Sequence, residues 1–398
     1  MGKLSKRIIS IPESETLAMT AKARAMKEKG IDVISLSIGE PDFKTPKHIQ
    51  EGAIQAINEG KYFSYPPVNG YLDLRKAISE KFKKDNDLDY SPDQIVVSNG
   101  AKQSIANVFM AILDPGDEVI VFTPYWVSYS AMILLAEGTP VFVKGSFEND
   151  FKVTADQLAA AITSKTKAVI FSSPCNPTGS VFKEDELQKI AEVLKLHPDI
   201  TIVADEIYEY INFSGKHVSI GAIEGMQDQT VTVNGFSKGF AMTGWRVGYI
   251  GAPTWIAKAA NKMQGQYTSG NCSISQRAAL TALNSSLEPT FAMTEAYKAR
   301  RSLVYDLLKE IPGFEVNMPE GAFYFFPTVK SYIGKSTGDT TINSIGDLCI
   351  YLLEDAHVSL VTGEAFGNPD CLRLSYAASE DDLKRAISQI KESLAKLS

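Results

Sequence analysis

The sequence predicts an α/β protein, with a large domain built on a mostly parallel central sheet flanked by helices and a smaller α+β domain. Short runs rich in β-branched residues alternate with longer helical patterns through the middle of the chain, which is typical of βα units. From about residue 285 the pattern changes to a long helical stretch, a short strand system and a final helix. The length of 398 residues also favours more than one domain.

Six short apolar runs are predicted to form the strands of the large domain. They are 94–98 (QIVVS), 118–122 (EVIVF), 168–172 (AVIFS), 201–205 (TIVAD), 230–234 (TVTVN) and 246–250 (RVGYI). Helical patterns such as EDELQKIAEVLKLH lie between these runs. The helical periodicity and the intervening strands together indicate successive βα units.

The chain is expected to divide into three segments. Residues 46–285 form the large domain, residues 286–398 form the small domain, and residues 1–45 contribute to the small domain. Ser379, shortly before two aspartates, predicts the start of the last helix. The segment 334–344 (GKSTGDTTINS) is the one most typical of a mobile loop.

The composition predicts a cytoplasmic protein that acts on small molecules. Apolar residues make up 44% and charged residues 22% of the chain, as in ordinary soluble proteins. A net charge of -7 without a basic block argues against a nucleic-acid or anionic-membrane partner. No apolar run is long enough for a membrane span, and the start MGKLSKRIISIPESE has no apolar core of a secretory signal. Four widely spaced cysteines are expected to be free thiols in a reducing compartment.

Polar and aromatic residues follow five of the predicted strands, where ligands bind in open parallel sheets. They are NGAKQS after 94–98, Trp126 after 118–122, Asn176 after 168–172, Asp205 with Tyr208 after 201–204, and Lys238 after 230–234. Each has an ordinary structural alternative, such as a helix cap for NGAK, a turn for SPCNPTG or core packing for the tryptophan. Their conjunction predicts a ligand site at this edge of the sheet.

The set matches the requirements of pyridoxal phosphate chemistry, which needs a lysine for the aldehyde, a carboxylate for the pyridine nitrogen and ligands for the phosphate. The apolar run before Asp205 would bury its carboxylate, which then needs a cationic partner. Tyr208 and Asn176 are suited to bond the phenolic oxygen of the ring, and Trp126 to stack on its face. The amine of Lys238, once released, is the expected base that moves a proton from the substrate's Cα.

Four motifs in this order, SPCNPTG, ADEIYE, NGFSKGFAMTGWRVGY and LRLSYA, resemble the class I aminotransferases of the aspartate aminotransferase family, fold type I. SLSIGEPDFKTP and YPPVNGYLDLR extend the resemblance over nearly the whole chain. The sequence is most similar to the bacterial and archaeal branch. The resemblance implies the fold type I architecture, pyridoxal 5'-phosphate as the cofactor, and Lys238 as the residue that forms the Schiff base with it.

The same resemblance implies further roles by position. The residues implied to hold the ring and the phosphate are Asp205, Tyr208, Asn176, Trp126, Gly100, Ala101, Lys102, Ser237 and Arg246. The residues implied to bind the substrate are Arg373, which takes the α-carboxylate, Gly39, Trp126 and Asn176. Tyr65 matches a tyrosine that reaches the phosphate from the neighbouring subunit, which implies a homodimer with shared active sites.

The expected activity is transfer of an amino group between an L-amino acid, aspartate first, and 2-oxoglutarate by a ping-pong mechanism. An aromatic or prephenate aminotransferase and a β-lyase remain alternatives, because side-chain pockets and not cofactor residues separate them. No motif identifies the arginine that would bind a second substrate carboxylate; neither Arg277 nor Arg300 has a recognisable context. No metal site is predicted, because the four histidines are scattered. No G-x-G-x-x-G follows a strand, which argues against a nicotinamide enzyme.

Overall fold

The computed structural model describes residues 4–11 and 15–398. In these residues the helices are α1 Lys6–Ile9, α2 Glu15–Glu28, α3 Lys47–Glu59, α4 Leu72–Asn86, α5 Ala101–Ile112, α6 Ser128–Leu135, α7 Ala155–Ala161, α8 Glu184–Lys195, α9 Thr254–Tyr267, α10 Ser273–Leu283, α11 Glu288–Lys309, α12 Ile345–Asp355 and α13 Glu380–Leu394. The strands are β1 Ile34–Ser35, β2 Ile95–Ser98, β3 Glu118–Thr123, β4 Thr139–Lys144, β5 Thr166–Ser172, β6 Thr201–Asp205, β7 Thr230–Gly235, β8 Gly248–Gly251, β9 Tyr324–Phe325, β10 Ser336–Thr337, β11 Thr340–Thr341, β12 Val358–Ser359, β13 Val361–Thr362 and β14 Leu372–Ser375.

The central sheet has seven strands in the order β2-β8-β7-β6-β5-β3-β4. Strand β8 is antiparallel to both of its neighbours, and the other neighbouring strands run parallel. All six predicted strands are present, and the predicted α/β class is confirmed. Strand β8 begins two residues later than predicted, because Arg246 adopts a left-handed backbone conformation with φ of 56° and cannot extend the strand.

Strand β4 was missed by the sequence analysis. It is an edge strand of the sheet, five of its six residues are half-buried or exposed, and it contains Pro140. The edge position tolerates proline, because one side of an edge strand makes no ladder hydrogen bonds. A short, mixed and partly exposed run therefore gives a weak strand signal.

Both faces of the sheet are covered by apolar side chains. In β5, Ala168 and Ile170 belong to one buried cluster, whereas Val169 and Phe171 belong to another. Successive side chains of a strand point to opposite faces, so the two clusters lie on opposite sides of the sheet. This double burial explains why the central strands read as continuous apolar runs and not as alternating ones.

The second part of the structure gathers the two ends of the chain around one core. Its buried cluster joins apolar residues of α2 and β1 with those of α11, α12 and α13. Strand β1 pairs in parallel with β12, through Ile34 with Val358 and Ser35 with Ser359. These contacts support the predicted division at residues 45 and 285, which we retain as a proposal; the parts of the first segment at residues 1–3 and 12–14 lie outside the described residues.

Two local predictions for this region can be compared with the structure. Ser379 caps α13, because its hydroxyl oxygen accepts a hydrogen bond of 3.1 Å from the backbone N–H of Asp382, as the sequence predicted. The segment 334–344 contains the short antiparallel hairpin β10–β11, so part of the predicted loop is regular structure. Within the described residues no helix combines the length and apolar character needed to cross a bilayer.

Candidate active site

A cleft of about 690 Å³ opens at the carboxyl ends of the parallel strands, between the large sheet and the core formed by the chain ends. It brings together most of the residues predicted for the site, namely Gly39, Ala101, Lys102, Trp126, Asn176, Asp205, Tyr208, Ser237, Lys238, Arg246 and Arg373. Residues far apart in sequence thus meet where open parallel sheets bind ligands.

The two remaining predicted residues do not line this cleft. Gly100 is the residue before α5, with φ of 80°, and a β-carbon there would collide with the guanidinium of Arg246. Glycine is therefore required at this position both by the backbone conformation and by the close approach of the arginine. Tyr65 is 95% exposed and lies outside the cleft of a single chain.

Asp205 ends the central strand β6 and is buried. One carboxylate oxygen accepts a hydrogen bond of 2.6 Å from the hydroxyl of Tyr129, and the other accepts one of 3.3 Å from the backbone N–H of Ile207. Burial raises the pKa of Asp205 to about 6, although these hydrogen bonds favour the ionised form. In the described part of the chain no cation forms an ion pair with it, so a protonated ring nitrogen would supply the missing partner.

Tyr129 was not identified by the sequence analysis. It follows Trp126 by three residues at the start of α6, and the two rings meet edge to face with centroids 5.6 Å apart. The only available signal was the helical spacing of the two aromatic residues in TPYWVSY. The hydroxyl of Tyr129 contacts Asp205, and the half-buried Trp126 lines the cleft.

Lys238 follows β7 and lies close to the cleft-facing backbone of the N-terminal segment. Its Nζ donates a hydrogen bond of 2.5 Å to the carbonyl oxygen of Gly39 and lies 5.6 Å from the ring centre of Tyr208. Burial lowers the pKa of Lys238 to about 8, with Arg373 and Arg246 acting in the same direction. Roughly a quarter of the amine would be neutral at pH 7.5, which is the form that attacks a carbonyl carbon.

Tyr208 bonds to a second tyrosine that the sequence analysis did not single out. The hydroxyl oxygens of Tyr208 and Tyr324 are 2.7 Å apart, and both side chains are buried. The guanidinium carbon of Arg373 lies 4.6 Å from the ring centre of Tyr324. Tyr324, on β9, therefore connects the turn after β6 with the arginine on β14.

Arg373 is a buried cation with incomplete partners. Its Nη1 donates to Oδ1 of Asn176 at 2.9 Å, and its Nη2 donates to the carbonyl oxygen of Ser37 at 2.6 Å. Its Nε has no hydrogen-bond partner, and among the described residues no carboxylate lies within ion-pair distance of the guanidinium. Burial lowers its pKa, because desolvation disfavours the charged form. An incoming carboxylate would restore the missing counter-charge.

The start of α5 forms the other end of the cleft. The first backbone N–H groups of a helix lack intrahelical partners and attract anions. Arg246 lies beside them, with Nη2 donating to the carbonyl oxygen of Asn99 at 3.2 Å and Nη1 to that of Thr243 at 2.9 Å. Ser237 also lines this part of the cleft wall. Lys102 extends its Nζ over the ring of Trp126 at 5.0 Å.

The two arginines considered for a second substrate carboxylate are engaged elsewhere. Arg277 forms a two-point ion pair with Asp73, at 2.5 and 2.7 Å, and Arg300 pairs with Asp42 at 2.7 Å. Neither lines the cleft. Arg24, on α2, does line it, and the sequence analysis missed this residue because an exposed arginine on a polar helix carries no signal of its own.

Comparison with known proteins agrees with the fold and with the cleft. A model of the family described as aminotransferase class I and II matches residues 31–390. The aspartate aminotransferase of Bacillus subtilis (strain 168) is 46% identical over 396 residues, which cover 99% of this chain and 99% of that protein. The crystal structure of the aspartate aminotransferase from Rhizobium meliloti is 43% identical, with a TM-score of 0.96 over 100% of both chains.

A plant relative has a broader name. The bifunctional aspartate aminotransferase and glutamate/aspartate-prephenate aminotransferase of Petunia hybrida is 46% identical over 396 residues, which cover 98% of this chain and 82% of that protein. Fold and cleft together define a pyridoxal-phosphate-dependent aminotransferase of fold type I. This chain belongs to the aminotransferase class I and II family, which confirms the predicted family, enzyme class and cofactor. The roles of individual residues stay predictions.

The buried carboxylate of Asp205 leads to a test on the cofactor-free protein. Because its folded-state pKa of about 6 exceeds the ordinary value of 3.8, ionisation of Asp205 costs stability that is absent below about pH 4 and fully developed above about pH 6. Asp205→Asn should therefore raise the free energy of unfolding by about 3 kcal/mol at pH 7.5 and by little at pH 4.

The measurement is urea unfolding of the cofactor-free protein at both pH values, beside a cofactor titration. The same substitution should weaken pyridoxal phosphate binding, because asparagine cannot neutralise a protonated ring nitrogen. The exposed carboxylate of Asp228 provides the control, and Asp228→Asn should change neither quantity. Destabilisation of the cofactor-free protein by Asp205→Asn at pH 7.5 would contradict the assigned cost of burial.

Proposed function

We propose that this chain is an aspartate aminotransferase that uses 2-oxoglutarate as the amino acceptor. The observation that carries the proposal is that one cleft contains a buried carboxylate and a buried guanidinium, each without a counter-ion among the described residues. Among the described residues the buried carboxylate of Asp205 has no cationic partner and the buried guanidinium of Arg373 has no anionic one, and Lys238 lies near both. A cofactor with a cationic ring nitrogen and a substrate with a carboxylate complete these two charges at once.

The residues fit pyridoxal 5'-phosphate in the orientation that the sequence analysis predicted. Asp205 would pair with the ring nitrogen, and Tyr208 and Asn176 would bond the phenolic oxygen. The free N–H groups at the start of α5 and the guanidinium of Arg246 would receive the phosphate. The bound cofactor supplies an electron-withdrawing ring that stabilises negative charge at the substrate's Cα. Gly100, Ala101, Lys102 and Ser237 complete the proposed phosphate surroundings, with Trp126 against the ring.

Lys238 would act as the proton carrier of the reaction. Its burial and its lowered pKa keep an appreciable share of the amine neutral near physiological pH, as a base requires. Its hydrogen bond to the carbonyl oxygen of Gly39 fixes the amine in the cleft. Arg373 would hold the α-carboxylate through its planar fork and so orient the Cα–H bond toward the lysine.

The charges of the cleft favour acidic substrates. Five basic side chains line it, Arg24, Lys102, Lys238, Arg246 and Arg373, against two carboxylates, Glu40 and Asp205. An excess of cations in a partly enclosed cleft attracts dicarboxylates. Aspartate and 2-oxoglutarate fit this excess, and the names of the two curated relatives support aspartate as donor. Prephenate activity is the second candidate, because the plant relative is named for it.

We also propose a homodimer with shared active sites and a cytoplasmic location. Tyr65 is 95% exposed and Phe63 is 70% exposed, and the nearby Ile54 and Ile57 on α3 are exposed as well. Apolar side chains concentrated in one short stretch are typical of an interface between subunits. The four cysteines are free thiols, which fits a reducing compartment.

Replacement of Arg373 tests the proposed binding of the α-carboxylate. Arg373→Ala should lower kcat/KM by at least a hundredfold, or about 3 kcal/mol, by removing a charge-assisted two-point contact. The loss should be similar for every amino donor, because every donor has an α-carboxylate, and cofactor binding should persist. Arg385→Ala removes an exposed arginine of α13 and serves as the control. A defect confined to dicarboxylic donors would assign Arg373 to the side-chain carboxylate instead.

The second carboxylate of aspartate is proposed to bind Arg24, the one basic side chain among the described residues of the cleft that has no proposed role at the cofactor or at the α-carboxylate. No ion pair joins Arg24 to another described residue. Arg24→Gln should lower kcat/KM for aspartate by about tenfold and leave a monocarboxylic donor nearly unchanged, whereas Lys102→Gln, at the proposed phosphate site, should lower kcat/KM for both donors. Steady-state kinetics with aspartate and phenylalanine measures the difference. Equal losses for both donors with Arg24→Gln would contradict the assignment of Arg24 to the side-chain carboxylate.

A further inference from the structure

A buried ion network lies on the outer side of the turn that follows β6. In this turn Asp205, Ile207 and Tyr208 line the cleft, whereas Glu206 and Glu209 do not. The side chains of both glutamates are only 4% exposed. Two carboxylates buried this deeply require cations or hydrogen-bond donors to offset their desolvation.

Helix α4 supplies the partners of Glu209. The ammonium of Lys81 pairs with Glu209 Oε1 and donates a hydrogen bond of 2.6 Å to Oδ1 of Asn86. The amide nitrogen of Asn86 lies 2.7 Å from Glu209 Oε2 and 3.2 Å from Glu206 Oε2. One helix end therefore contacts both carboxylates, through a cation and through an amide.

The segment after the turn supplies the partners of Glu206. The hydroxyl of Ser219 donates to Glu206 Oε2 at 2.6 Å, and Nε2 of His217 lies 3.0 Å from the same oxygen. Burial opposes protonation of His217, but Glu206 and Glu209 together raise its pKa above the ordinary value. The imidazole of His217 thus lies against Glu206, and the ammonium of Lys81 lies against Glu209.

The backbone connects this network to the cleft. The N–H of Glu206 donates to the carbonyl oxygen of Val233 at 2.9 Å, and the N–H of Glu209 donates to the carbonyl oxygen of Glu206 at 2.9 Å. The turn is therefore held on its outer side by α4 and by the segment around His217, while its inner side presents Asp205 and Tyr208. Glu206 directly follows Asp205 in the chain and Glu209 directly follows Tyr208, so a shift of either glutamate would move the cofactor-facing residue next to it.

We propose that Lys81, Glu206, Glu209 and His217 are positioning residues of the active site, which hold the turn so that its inner side meets the cofactor. The inference rests on the proposed roles of the inner residues. A divalent cation could also bridge the two glutamates and His217, whose ligand atoms all lie within 4.8 Å of one another. The ammonium of Lys81, the amide of Asn86 and the hydroxyl of Ser219 already contact the two carboxylates, so the network needs no metal.

Charge-balanced double substitutions test the proposal without leaving an unpaired charge. Lys81→Met/Glu209→Gln should raise the dissociation constant of pyridoxal phosphate at least tenfold and lower kcat, with the KM for aspartate changed less than twofold. Lys152→Met/Glu186→Gln removes another ion pair of the large domain, at 2.7 Å, in which Lys152 is buried and Glu186 half-buried and whose residues do not line the cleft. This control should change the dissociation constant by less than twofold. His217→Gln, a milder change that keeps a polar side chain beside Glu206, should raise the dissociation constant at least threefold.

The readouts separate positioning from plain stability. Thermal midpoints of the cofactor-free proteins should fall for the network variant and for the control, while only the network variant loses cofactor affinity. Equal cofactor affinity in both would overturn the inference, as would a stoichiometric divalent metal in the purified wild-type protein. If Lys81→Met/Glu209→Gln does not fold, the pyridoxal phosphate titration of His217→Gln tests the inference instead. A wild-type chain that does not bind pyridoxal phosphate would instead refute the proposed function.

Discussion

The structure depends most on the carboxylate of Asp205, which lies buried at the end of a central strand and has no cationic partner in the part of the chain that the structure describes. Burial keeps its pKa near 6, so at neutral pH its ionised form costs stability in the cofactor-free chain. Tyr129 and a backbone N–H offset part of that cost. The buried, ionised carboxylate that destabilises the cofactor-free protein would also attract a cationic ring nitrogen and so contribute to cofactor binding. This explains why a carboxylate stands at the end of an otherwise apolar strand.

The rest of the cleft extends this arrangement to the substrate. Arg373 comes from β14, in the part of the structure built from the chain ends, whereas Asp205 and Lys238 come from the large sheet. Among the described residues Asp205 has no cationic partner and Arg373 no anionic one, and each missing partner corresponds to one charged end of a cofactor or amino acid. Lys238 keeps a lowered pKa because it is buried among the cations Arg373 and Arg246. Binding, orientation and proton transfer therefore follow from one distribution of buried charge.

Much of this could be predicted from sequence, for a physical reason. Strands buried on both faces read as continuous apolar runs, and the residue after each run marks the carboxyl edge of the sheet. Contacts between residues that are distant in sequence were not predictable. The hydroxyl groups of Tyr129 and Tyr324 bond to site residues, but no local sequence pattern indicates these bonds. Arg24 lines the cleft from a helix that is distant in sequence from the other site residues. Strand β4 was missed because an edge strand is half exposed. The proposed role of Glu206 and its network depends on contacts with α4 and with the segment around His217, which the sequence alone does not indicate.

The most direct test of the central claim is to find which lysine carries the cofactor. The holoenzyme is treated with sodium borohydride, which reduces a carbon–nitrogen double bond to a stable amine, and the labelled peptide is identified by mass spectrometry after proteolysis. The account predicts label on Lys238 alone, with turnover lowered by several orders of magnitude in Lys238→Ala. Label on Lys102 and none on Lys238 would contradict it, because the amine held against the backbone of Gly39 would then have no part in the chemistry.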